Sequence, residues 1–127
     1  METSSKSILL VEDEPLLGNI LKQRLEKENL GVNLARDGEE ALIFLKTNKP
    51  DLILLDIILP KLSGFEVMEK LKEEPSYKKA PIIILSNLGQ GTDLEKGQSL
   101  GAVGYLVKAQ MSIDDLIEEV KRFLASK

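Results

Sequence analysis

Leu52-Ile53-Leu54-Leu55, closed by Asp56, is an unbroken apolar run that ends on a carboxylate. Short runs of this kind mark strands buried on both faces. Two more stand in the chain: Ile8-Leu9-Leu10-Val11, closed by Glu12-Asp13-Glu14, and Ile82-Ile83-Ile84-Leu85, closed by Ser86-Asn87. Val32-Asn33-Leu34-Ala35 and Val103-Gly104-Tyr105-Leu106-Val107 are weaker candidates, and their polar or glycine interruptions suit the edges of a sheet. The chain therefore reads as five strands, with the first, third and fourth at the centre.

Helical segments alternate with these runs. Pro15 can open the first helix, whose Leu16, Leu17, Ile20, Leu21 and Leu25 are expected on one face. Asp37 with Glu40, Ser63 with Glu66, and Thr92 with Glu95 have capping-box spacing. The last helix starts near Ser112 and carries the stripe Ile113, Leu116, Ile117, Val120, Phe123 and Leu124. The fourth helix is the poorest. It has Leu94 and Leu100 as apolar anchors and Gly97 in its interior, which costs about 1 kcal/mol against alanine. It is expected to be the most mobile of the five.

Strict strand–helix alternation implies an α/β fold: a doubly wound, five-stranded parallel sheet with right-handed crossovers and five flanking helices. Central strands 1, 3 and 4 give the order 2-1-3-4-5. In such a sheet ligands bind beyond the carboxyl ends of the strands, where the winding reverses between strands 1 and 3. The 127 residues suit one domain, 1–127, with residues 1–6 expected as a frayed N-terminus.

Composition narrows the chemistry. There is no cysteine and no histidine, which removes disulfides, thiolate chemistry, and the commonest general base and zinc ligand. Seventeen basic against 21 acidic residues leave a net charge of −4, so no direct nucleic-acid binding is expected. The apolar runs are too short to cross a bilayer, and no signal-peptide stretch opens the chain. A cytoplasmic protein with no membrane partner is expected.

What remains is polar and stands at the strand ends. If strands 1 and 3 are neighbours, Glu12, Asp13 and Asp56 share one crevice. Carboxylates in one crevice repel, and at least one pKa should rise unless a cation is present. Oxygen-only ligands favour a hard ion, Mg²⁺ first. Each residue also has a plainer reading. The acidic trio can complement the dipole of the first helix, Asp56 can be a turn residue, Ser86 a turn hydroxyl, Lys108 a solvated lysine and Tyr105 an edge aromatic with a wet hydroxyl. Their convergence on one end of one sheet is what favours a site.

Taken in order, these residues resemble the receiver domain of two-component response regulators, of the chemotaxis-regulator-like, stand-alone kind. The matching residues are Glu12-Asp13 after strand 1, Asp56 in Leu-Leu-Asp-Ile-Ile-Leu-Pro, Gly64 after the next loop, Ser86 after strand 4, and Tyr105 with Lys108 in Tyr-Leu-Val-Lys. The resemblance implies a flavodoxin-like fold and a phosphoprotein of phosphorelay signal transduction. Asp56 is then the phosphoacceptor, and Asp13, Asp56 and the Ile58 backbone carbonyl hold Mg²⁺, with Glu12 acting through water. Lys108 and Ser86 act on the phosphoryl group, and Ser86 with Tyr105 switches the surface of helix 4, strand 5 and helix 5. Such a chain is not an enzyme in the usual sense but assists its own phosphorylation and dephosphorylation. Its implied partners are a histidine kinase or phosphotransfer protein and a downstream protein effector, with the chain a monomer or a phosphorylation-dependent dimer.

Three positions depart from the family pattern. Ala109 follows Lys108 where proline is usual, often after a cis bond; a cis bond before a non-proline residue costs about 3 kcal/mol, so the loop is expected trans, or cis and strained. Asn87 stands where a smaller residue is commoner. Ile58 and Leu88, at the positions flanking the attacking water, are both apolar, which implies slow loss of phosphate. The alternative to a phosphorylated switch is a phosphorylation-independent interaction module. A phosphohydrolase would want a carboxylate where Ile58 stands. A flavodoxin-like cofactor binder would want glycines or hydroxyls where the acidic trio stands. The chain could be a stand-alone receiver or part of a longer regulator.

Overall fold

In the computed structural model, which describes residues 6–87 and 91–126, five parallel strands form one sheet in the order β2-β1-β3-β4-β5. The strands are β1 (Ser7–Val11), β2 (Gly31–Ala35), β3 (Leu52–Leu55), β4 (Ile82–Ser86) and β5 (Gly104–Val107). The helices are α1 (Pro15–Glu26), α2 (Gly38–Thr47), α3 (Gly64–Glu73), α4 (Gly91–Ser99) and α5 (Ile113–Ala125). All of β1 except Ser7, and all of β3 and β4, are buried, whereas β2 alternates and β5 is half-buried throughout. The expected order and edges are thus those observed. Met1 to Ser5 of the expected frayed start, and Leu88, lie outside the described residues.

The two-residue period of a strand divides the core. Ile8, Leu10, Leu52, Leu54, Ile83 and Leu85 face α1 and α5, where they meet Leu21, Leu25, Leu116, Ile117, Val120 and Leu124. Leu9, Val11, Ile53, Leu55, Ile82 and Ile84 face the other way, towards Leu42 and Leu45 of α2 and Phe65, Met68 and Leu71 of α3. α1 and α5 are also joined by the ion pair Arg24–Asp114, and the turn after α1 is tied to α5 by the pair Glu28–Lys121.

Local signals hold unevenly. Pro15 opens α1, and Ser63–Glu66 forms a complete capping box, as does Ser112 with Asp115. Asp37 forms half of one. Its side chain accepts from the Glu40 N–H at 2.8 Å, but the Glu40 carboxylate accepts from the Arg36 N–H. Thr92 is not a cap: α4 already begins at Gly91, and a cap needs backbone outside the helix. In α1, Leu16 and Ile20 are exposed, Leu16 to 71%. At about 100° per residue they point more than a quarter-turn away from the Leu21–Leu25 line that meets the sheet.

Gly97 has a packing role that its helix propensity conceals. It is buried, and a Cβ there would stand 2.6 Å from Ile84 Cδ1 and 3.5 Å from the Tyr105 ring. The bare backbone lets α4 lie close on β4 and β5. A second hold on α4 is the Lys96 ammonium, 4.9 Å from the centre of the Phe65 ring on α3.

Candidate functional site

Sheet register brings the acidic residues together. Val11 pairs with Leu55, and the Asp56 N–H donates to the Val11 carbonyl at 3.1 Å, so the residues that follow β1 and β3 leave the sheet side by side. Glu12 is held from the opposite flank by its N–H donating to the Ala35 carbonyl of β2 at 3.0 Å. One carboxylate oxygen from each of Glu12, Asp13 and Asp56 lies within 4.8 Å of the others. Asp13 is exposed, Asp56 is 6% exposed and Glu12 only 1%.

Lys108 comes in from β5. Its Nζ lies 2.8 Å from Asp56 Oδ2 and 2.7 Å from Glu12 Oε1, so one ammonium bridges two buried carboxylates. No peptide bond among the described residues is cis. With a trans bond to Ala109 and a single 3₁₀ turn over Lys108–Gln110, the lysine still reaches the crevice. Glu12 Oε2 accepts from the Glu14 N–H at 3.2 Å, and Asp56 Oδ1 from the Ile58 N–H at 3.3 Å.

The charges explain the titration of the group. Burial pushes the Glu12 carboxyl above its usual value, and the neighbouring Asp56 adds to this; the hydrogen bond and charge of Lys108 oppose it without winning. Burial would lower the Lys108 pKa, but its hydrogen bonds and charge interactions with Asp56 and Glu12 outweigh burial and raise it. Three carboxylates against one ammonium leave two negative charges uncompensated. A donor set of oxygens alone with that excess fits a hard divalent cation such as Mg²⁺.

The remaining residues of interest lie around this cluster. Ser86 is fully buried at the end of β4, in register with Val107 just before Lys108. Tyr105 is half-buried on β5 behind Gly97, its pKa raised by burial and then by Asp93 and Asp56. Asn87 is exposed, and the Ile58 side chain is 61% exposed at the rim. Gly64 shows why its position tolerates no side chain: a Cβ would stand 2.3 Å from the Asp56 carbonyl oxygen. Sequence reading missed the depth of Glu12 and its pairing with Lys108; the apolar run Ile8–Val11 leading straight into it was the available signal.

The response regulator receiver domain model matches residues 8–121. This chain belongs to that family. The receiver is 38% identical over 117 residues to the phosphate regulon transcriptional regulatory protein PhoB of Rhizobium meliloti, covering 92% of this chain and 51% of that protein. It is 36% identical over 115 residues to the gliding motility regulatory protein of Myxococcus xanthus, covering 91% of this chain but 15% of that one. The chain thus spans about half or less of the length of these curated relatives. The receiver domain of the Francisella response regulator 1452 superimposes with a TM-score of 0.85 at 30% identity, covering 97% of this chain and all of that one. Receiver domains are signalling phosphoacceptors of two-component systems. Among the described residues, no helix is long and apolar enough to cross a membrane.

The raised pKa of Glu12 fixes a sign. Between the usual carboxyl value of 4.5 and the higher folded-state value, the native receiver keeps a proton that the unfolded chain has released. Stability in cation-free buffer therefore falls as pH rises through that window. Glu12→Gln, which cannot titrate, is expected to flatten this fall and to be more stable than the wild type at neutral pH. Urea unfolding across the window, with chelator present, checks this; parallel curves for the two proteins would contradict it.

Proposed function

We propose that this receiver accepts a phosphoryl group on Asp56 and passes the event to the surface of α4, β5 and α5. The observation that carries the reading is the position of Asp56, which stands in the acidic cluster, is paired with Lys108 at 2.8 Å and is less deeply buried than Glu12, which shares both features. An Asp56 oxygen forms a bond to phosphorus as the bond from phosphorus to the donor breaks. The bonding pair leaves with the donor, the imidazole of a histidine kinase or phosphotransfer protein or the carboxylate of a small acyl phosphate. The product is an aspartyl phosphate.

The chain's part in this is positioning and charge. Asp13, Asp56 and the Ile58 backbone carbonyl would hold Mg²⁺, with Glu12 acting through water. When bound, the ion supplies the positive charge that lets an anionic carboxylate meet an anionic phosphoryl group. Lys108 supplies a second positive charge from the β5 side. Ser86, in register with Val107 at the end of that strand, can turn its hydroxyl to donate to a phosphoryl oxygen. If Ser86 is drawn that way, Tyr105 can follow into the space behind it. Because the ring lies so near Gly97 that a Cβ there would stand 3.5 Å from it, its movement bears on α4. The downstream partner is a protein effector, the receiver works in the cytoplasm, and it acts as a monomer or a phosphorylation-dependent dimer.

Incubation with Mg²⁺ and a small acyl phosphate should add one phosphoryl group by intact mass, and the adduct should be absent in Asp56→Asn and in chelator. No adduct with several donors would instead favour a phosphorylation-independent interaction module. Once formed, the phosphate should be long-lived, because neither Ile58 nor Leu88 can orient a water molecule. Polar residues placed at both positions are expected to speed its loss by about tenfold or more. An unchanged rate would contradict this role for the pair.

A further inference from the structure

The segment between Asp56 and α3 is gripped by two glycines. On one side is Gly64, whose N–H donates to the Ile57 carbonyl at 2.8 Å and whose missing Cβ would meet the Asp56 carbonyl at 2.3 Å and Ile57 Cα at 2.8 Å. On the other side is Gly38, the first residue of α2. A Cβ there would stand 2.6 Å from the Leu62 carbonyl oxygen, 2.7 Å from Leu62 Cβ and 2.9 Å from Val67 Cγ2. The first two of these atoms cannot rotate away. The same helix end makes a second contact with the loop, since Lys61 Nζ lies 3.7 Å from Asp37 and 3.8 Å from Glu39.

Gly38 is not required by its backbone. Its φ is not among the positive values in the chain, and alanine is the better helix former. Space is the constraint. We infer that Gly38 is a positioning residue: the bare start of α2 seats Leu62 and so sets where the Ile58 backbone lies relative to the Asp56 carboxylate. A side chain at position 38 must push Leu62 outward. With no room at Gly64 for even a Cβ against the Asp56 carbonyl, the displacement passes back to Ile57 and Ile58. Ile57 is itself fixed in the core, so the change falls on Ile58, whose N–H bonds Asp56 Oδ1.

This inference rests on the reading of Asp56 and the Ile58 carbonyl as cation ligands, and its test is the affinity of the unphosphorylated chain for Mg²⁺, measured by isothermal titration calorimetry. Gly38→Ala should bind Mg²⁺ about tenfold more weakly than the wild type, the size of effect usual for residues that orient metal ligands. Gly38→Val should bind more weakly still. Leu42→Ala, which empties a buried core site on the same helix, should keep the wild-type affinity despite its lower stability. If Gly38→Val does not fold, Gly38→Ala against Leu42→Ala decides the matter. Wild-type affinity in Gly38→Ala, or an equal loss in Leu42→Ala, would overturn the role of Gly38 alone. Absence of Mg²⁺ binding by the wild type would overturn the cation reading, and this inference with it.

Discussion

Lys108 places one ammonium 2.7 Å from Glu12 and 2.8 Å from Asp56 at a point where both carboxylates are almost wholly buried. Removing a carboxylate from water is costly unless a partner repays it, and two such groups side by side at the ends of β1 and β3 also repel each other. The lysine is the chain's own answer, and it is incomplete. Asp13 adds a third carboxylate at the solvent edge. The result is a cluster held together but left short of positive charge, which fits the proposed binding of a cation and then of a phosphoryl group.

The rest of the fold serves this junction. Buried central strands fix β1 beside β3 and carry Asp56 into register with the end of β1. Two parallel pairings further along, β5 brings Lys108 across from beyond β4. The loops are then set by close approach: Gly64 allows α3 to start against Asp56, Gly38 seats Leu62, and Gly97 lets α4 lie on Ile84 beside Tyr105. Cores of this density transmit displacements of a few tenths of an ångström rather than absorbing them. Under the proposed function, that property would carry an event at Asp56 to α4.

The sheet was legible because its signal is local and repeated. Ile8–Val11, Leu52–Leu55 and Ile82–Leu85 could hardly be anything but inner strands, and their order followed from the interrupted edges. The clustering of Glu12, Asp13, Asp56 and Lys108 at the candidate site was legible for the same reason, since these residues follow the strand ends. The errors have a common cause. Periodicity marks apolar residues but not how much of a helix its neighbours cover, so Leu16 and Ile20 were expected on one face with Leu21 and Leu25 and are instead exposed. Gly97 read as a defect because propensity counts what a residue costs its own helix and not what its absence of a side chain admits from the next strand. Gly38 sat beside the cap Asp37 and gave no sign of its own. The pairing of Glu12 with Lys108 left no local signal, because it spans 96 positions of sequence (108 − 12).

The most direct test of the account is the stability of Lys108→Met, measured by urea unfolding at neutral pH with and without Mg²⁺. If the ammonium is what makes the buried carboxylates tolerable, the variant without cation should lose about 2 kcal/mol, less than a sealed ion pair because Asp13 opens the cluster to water. Mg²⁺ should then stabilise the variant by more than it stabilises the wild type. A variant as stable as the wild type in chelator, with the same response to Mg²⁺, would contradict the account.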